Sequence, residues 1–187
     1  SVAGGQSVPT GTTITLTYVK DDGQTQPTDY TVEYYKDGQK VTEDSYTEHS
    51  TAWINDDPAQ IAIKADIDAS ADKYVGYKLG STEPEALPAA GEKVNSGTVV
   101  KVNYVKDDSQ TQPTKYLVKH VVDGVEQTGD TRTYEGTAWI NDAAPAIVVA
   151  GDTIQPNTYE GYKYVSTDPS VAGGQSVPTG TTITLTY

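Results

Sequence analysis

YTVEYYKDG at residues 30–38 and YLVKHVVDG at residues 116–124 decide the fold. In the first, Tyr30, Val32 and Tyr34 alternate with Thr31, Glu33 and Tyr35; in the second, Tyr116, Val118, His120 and Val122 alternate with Leu117, Lys119 and Val121. A period of two is the mark of a strand with one face in a core. Each run ends in Asp-Gly, the favoured centre of a two-residue type I′ hairpin turn. The reading therefore predicts hairpins of 30–36 with 39–47 and of 116–122 with 125–133. Third strands are expected near 60–65 and 146–150. Fourth strands are expected to carry Tyr-x-Gly-Tyr at 74–77 and 159–162. The closing strand alternates too: Ile183, Leu185 and Tyr187 against Thr182, Thr184 and Thr186. One short helical turn is expected to start at Asn55 or Asn141, because Asn caps helices well.

The two runs belong to a long internal repeat. VKDDGQTQPT at 19–28 returns as VKDDSQTQPT at 105–114, and TAWIND at 51–56 returns at 137–142. The offset is 86 at Val19 and Val105, 85 at Gly76 and Gly161, and 83 at Tyr104 and Tyr187. Small deletions therefore fall in loops while the framework holds. SVAGGQSVPTGTTITLTY at 1–18 recurs letter for letter at 170–187. The period is longer than that of solenoid units, which cannot bury a face alone. It suits a small domain strung in series. The expected organisation is a terminal strand of a truncated preceding repeat at 1–18, a linker at 19–28 and a first repeat domain at 29–104. A second linker at 105–114 and a second domain at 115–187 follow. The linkers are the most polar stretches, and Pro27 and Pro113 make them extended and stiff. The class is mainly β with little helix: two small tandem domains in an elongated arrangement.

Composition narrows the function. The net charge is −13, which argues against nucleic acid and anionic membrane surfaces as partners. Cys and Met are absent, so there is no disulfide, no thiolate metal site and no Cys nucleophile. Tyr numbers 14 and Phe none, which predicts small cores built from rings with one wet end. No apolar stretch approaches the roughly 20 residues that span a bilayer. His49 faces Glu135 across the repeat and His120 faces Tyr34, so no catalytic base is repeated. No nucleophile elbow, zinc spacing or phosphate loop occurs. The chain reads as a non-enzyme without a cofactor.

These features resemble a known group. The opening YTVEYYKDG hairpin, the central GYK segment and the closing TVVKVNY strand at 98–104 are similar to the MucBP-type and related β-grasp-like tandem repeats of Gram-positive cell-wall-anchored adhesins. The resemblance covers both repeats. It implies a β-grasp-like fold, an extracellular place on a bacterial cell wall, and association with host mucin or other glycans.

One motif has the residue types of a sugar site. An exposed Trp stacks on the apolar face of a pyranose while amide and carboxylate oxygens take hydroxyls. Trp53, Asn55 and Asp56 offer this in one repeat, and Trp139, Asn141 and Asp142 in the other. The same residues also read as a core Trp followed by a turn. Asp66, Asp68 and Asp72 have the odd-position spacing of a calcium loop. Ala71 and Tyr77 stand where an EF-hand needs Gly and Glu.

Two functions follow as expectations. One is a stalk that projects a distal binding region from the surface. The other is a multivalent glycan- or mucin-binding module. The partners are then neighbouring repeats of the same chain and a glycan. The chain is expected to be a monomer, with strand-mediated contacts through residues 11–18 as a third expectation, since an unpaired apolar-faced strand adds to sheet edges.

Overall fold

The computed structural model describes residues 4–187; residues 1–3 of the duplicated segment lie outside the described residues. The first half carries β1 (Thr25–Lys36), β2 (Gln39–Trp53), β3 (Gln60–Ala62), β4 (Tyr77–Glu83), β5 (Lys93–Asn95) and β6 (Thr98–Lys106). The second half carries β7 (Thr111–Val122), β8 (Val125–Glu126), β9 (Arg132–Trp139), β10 (Ala146–Val148), β11 (Ser166–Asp168), β12 (Ser176–Pro178) and β13 (Thr182–Thr186).

In the first half the sheet order is β2-β1-β6-β4. The two central strands run parallel, from Tyr30 opposite Thr98 to Lys36 opposite Tyr104. The flanking pairs are antiparallel. The second half repeats this arrangement, with β13 parallel to β7 and β8, β9 and β11 outside them. This is a β-grasp-like sheet without an α-helix, and the mainly β class expected from the period-two pattern is what is found. The Asp-Gly turns have the expected hand: Asp37 and Gly38 have φ of 46° and 78°, Asp123 and Gly124 of 47° and 79°.

The inward residues of the alternating runs form two separate cores. Tyr30, Val32, Tyr34, Val100, Val102 and Tyr104 anchor one. Tyr116, Val118, Ile183, Leu185 and Tyr187 anchor the other. Tyr serves where Phe is absent because each ring ends on a polar partner. Tyr30 Oη accepts from the Lys64 backbone N–H at 3.2 Å, and Tyr104 Oη donates to Ser70 O at 2.8 Å. Tyr187 Oη accepts from the Asn157 N–H at 2.6 Å. A Phe would leave those part-buried backbone groups without this partner.

Several expectations differ in detail. β1 and β7 begin at Thr25 and Thr111, inside the stretches read as linkers. Pro27 and Pro113 are tolerated there because those ends pair on one side only; the parallel neighbours join at Tyr30 and Leu117. β2 runs on to Trp53 rather than ending near Thr47. The third strands are three residues each, Gln60–Ala62 and Ala146–Val148. Tyr-x-Gly-Tyr forms a tight turn, not a strand: Gly76 and Gly161 have φ of 82° and 84°, and pairing starts only at Tyr77 and Ser166. No helical turn opens at Asn55 or Asn141; the only helical element among the described residues is a 3-10 turn at Gly151–Ile154. Thr12–Tyr18 forms no strand, and Ile14, Leu16 and Tyr18 are exposed.

Candidate functional site at the junction of the halves

Two repeated motifs that lie apart in sequence are neighbours in space. Register places Thr25 opposite Trp53 and Thr111 opposite Trp139. QTQPT and TAW are therefore adjacent strand ends. The second Gln of QTQPT then closes the turn after the Trp. Gln112 Nε2 donates to Trp139 O, Ile140 O and Asp142 O at 3.0, 3.2 and 2.8 Å. Gln26 Nε2 does the same at Trp53 O, Ile54 O and Asp56 O, at 3.1, 3.2 and 2.8 Å. The preceding acid organises the approach. Asp107 accepts from Ser109 N and Oγ and from Gln110 Nε2. Ser109, then Gln110, hold its carboxyl below the usual range. Asp21 is lowered likewise by Gln24 and the Gly23 N–H.

This edge of the second half meets the Tyr-Val-Gly-Tyr turn of the first. Trp139 Nε1 donates to Gly76 O at 2.9 Å, and Asn141 Nδ2 to Val75 O at 2.6 Å. Gln110 completes the seam from the other side. Its Oε1 accepts from Gly76 N at 2.8 Å and its Nε2 donates to Tyr77 O at 3.2 Å. The Asp107 N–H donates to Gly76 O at 2.9 Å. The Tyr77 and Trp139 rings meet edge to face, 5.5 Å between centroids. Lys106 lies over the indole at 5.2 Å.

Gly76 is required here twice. Its φ is positive, and a Cβ would lie 2.3 Å from Asn141 Nδ2 and 3.1 Å from Ile140 Cγ2. Asn141 thus reaches across the seam to Val75 O instead of capping a helix.

At the other copy of the motif, Trp53 Nε1 donates to Asp21 O at 3.1 Å, in the segment that precedes β1. Lys20 lies over that ring at 4.9 Å. Both indoles are half-buried and neither belongs to a core cluster. Trp53, Asn55 and Asp56 lie together on one edge. Trp139 and Asn141 lie together against the Gly76 turn, while Asp142 Oδ1 accepts from the Ala144 N–H at 3.1 Å.

The acidic loop is internally bonded. Asp68 accepts from Ser70 N, Ser70 Oγ and Lys73 Nζ, and these hold its carboxyl down to about 2. Asp66 Oδ1 takes the Ala90 N–H. Among the described residues no three His, Cys, Asp or Glu converge as a metal site. A polar cavity of about 260 Å³ beside β7 is lined by His120, Asp130, Arg132 and Asn157. His120 Nδ1 is 3.0 Å from Tyr187 Oη, and Arg132 Nη1 donates to Gly129 O and Thr131 O. Burial holds the imidazole below its ordinary value. The cavity is not repeated, since Tyr34 and Tyr46 stand where His120 and Arg132 do.

Sequence reading missed Gln24, Gln26, Gln110, Gln112 and the two turn glycines. Their signal was present: QTQ is copied in both repeats although a linker has no need of a particular amide.

The structure is similar to repeats of mucus-binding proteins. One is the type 2 repeat of the mucus binding protein MUB from Lactobacillus reuteri, at 16% identity and a TM-score of 0.27, over 86% of this chain and 98% of that one. Another is the crystal structure of Mub-RV, at 13% identity and a TM-score of 0.24, over 85% and 98%. No family model and no curated protein matches the chain. Among the described residues no helix is long and apolar enough to cross a membrane.

Proposed function

We propose that this chain is a non-enzymatic pair of tandem repeat domains from a bacterial cell-surface adhesin, acting as a spacer that projects a distal binding region. One observation carries the reading. TAWIND, a motif copied without change, lies in its second copy against the preceding repeat, with the Trp139 indole N–H on the Gly76 carbonyl. A motif conserved between copies for joining them is what a stalk needs. The polar VKDDxQTQPT stretch then belongs to the joint, and acidity keeps a crowded array soluble. An extracellular place on the cell wall goes with this reading and rests on the MucBP-type sequence resemblance. Small-angle scattering of the whole chain tests it. A rod-like profile that becomes that of a freely hinged pair in Trp139→Ala is the expected result; a hinged profile in the unmodified chain refutes it.

A second reading has its own support. Trp53, Asn55 and Asp56 share an edge that no other half of this chain covers, so a mucin glycan has a Trp face and polar neighbours to meet there. Binding to immobilised mucin that is lost in Trp53→Ala and kept in Trp139→Ala favours this module.

A further inference from the structure

We infer that the Tyr159–Val165 turn is an acceptor surface for the Trp53 edge of a second copy of this chain, so that copies associate head to tail. The inference rests on reading the Gly76 seam as an inter-repeat joint. Each half of that joint occurs once more, without such a partner among the described residues. The turn is rebuilt in the second half: Tyr162 N donates to Tyr159 O at 3.0 Å, as Tyr77 N does to Tyr74 O at 3.1 Å. Gly161 and Gly76 share the same positive φ. At Gly76 a Cβ would strike Asn141; at Gly161 it would meet nothing within 4 Å. No protein donor reaches the Glu160 or Gly161 carbonyl among the described residues, although their counterparts Val75 and Gly76 accept from Asn141 and Trp139. Tyr162, the counterpart of the ring that meets Trp139, is 51% exposed.

The donor edge is equally prepared. Gln26 sets the Trp53 turn with the same three bonds that Gln112 uses, and Asp21 fixes Gln24 as Asp107 fixes Gln110. Trp53 Nε1 has only to exchange Asp21 O for Gly161 O of the other copy. Asn55 then reaches Glu160 O, a backbone contact that tolerates Glu in place of Val75. Lys78 lies opposite Val105 in the β4–β6 ladder. The counterparts Lys163 and Val19 are in no ladder, and Val19 is 86% exposed. A donor edge and an acceptor turn at different places on one chain make a heterologous contact, which continues past a dimer, into a ring where the rotation closes and into an open filament where it does not.

Sedimentation of the full 187-residue chain over micromolar to millimolar concentration tests this. Mass should rise past dimer with concentration, and more at higher salt, which screens like-charge repulsion between acidic copies. Trp53→Ala should weaken association by roughly thirtyfold, as for a central interfacial Trp. Tyr162→Ala, at an exposed ring that the fold does not need, should do likewise. Mixing the two variants leaves one good edge on each and should restore a dimer but nothing larger. A chain that stays monomeric overturns the inference, as does association that survives both variants. Association lost on deleting residues 1–18 but kept in Trp53→Ala assigns it to the unpaired segment and also overturns it. Indole N–H exchange in the same samples separates the two levels. A protected Trp139 in a monomeric chain leaves the joint standing and removes only the head-to-tail contact; an unprotected Trp139 removes both.

Discussion

Replacing Trp139 by Ala removes one hydrogen bond to Gly76 O and one edge-to-face contact with Tyr77. A net hydrogen bond contributes about 1 kcal/mol, and an aromatic pair about 1 kcal/mol beyond its burial. The Gly76 carbonyl is not orphaned, because the Asp107 N–H still donates to it at 2.9 Å. No further penalty for an unpaired buried acceptor is due. The coupling lost across the seam is therefore about 2 kcal/mol, a factor of roughly 30 in the population of the open joint. Trp53→Ala removes a bond to Asp21 O and the Lys20 contact over the ring, both to the segment that precedes β1, so it leaves the seam intact. Nitrogen-15 relaxation reads the difference. The two halves should tumble together in the unmodified chain and in Trp53→Ala, and separately in Trp139→Ala. A Trp139→Ala/Tyr77→Ala cycle in urea unfolding should return about 1 kcal/mol of pair coupling. Indistinguishable relaxation in the two Trp variants, or zero coupling in the cycle, refutes the joint.

Gly76→Ala should destabilise more than Gly161→Ala. Both introduce a Cβ at positive φ, a cost of roughly 1 kcal/mol, but only Gly76 also meets Asn141; urea midpoints of the two variants compare them directly. Gln112→Ala strips the one amide that serves three carbonyls and should cost about 1–2 kcal/mol, seen as a lower midpoint and as faster exchange of the Trp139 indole N–H. The second half should lose stability in mild acid. Burial depresses the His120 pKa from 6.5, so the unfolded chain takes up the proton first as pH falls below about 6.5. The contribution is complete above that pH and is lost as pH falls through the folded value. Melting at pH 7 and pH 5 should differ, and His120→Tyr, which copies Tyr34, should abolish the difference.

How much of this was legible beforehand depends on which force fixes each feature. The strands 30–36 and 116–122 were legible because a buried face imposes alternation on the residues themselves. The Asp-Gly turns were legible because positive φ restricts composition. Tyr-x-Gly-Tyr reads as a strand because its tyrosines, and Val75 in the first copy, favour strands, while the turn is set by a Gly, which at Gly76 has Asn141 as its neighbour, 65 residues away in sequence. The linker was misplaced for a related reason. Polarity is the same whether Gln26 faces water or holds three carbonyls, and composition does not distinguish them. Copying does. A solvated linker tolerates drift, yet QTQPT is unchanged between repeats, while the stretch after TAWIND has lost residues in the second copy. TAWIND is unchanged for the same reason: register sets it beside QTQPT, and together they bound one surface. Among the described residues that surface lies against the first half in one copy and against residues 20–21 in the other. A single fold unit thus contains two different ends, and identical sequence at 53 and 139 yields different hydrogen bonds, to Asp21 O at one and across the seam to Gly76 O at the other.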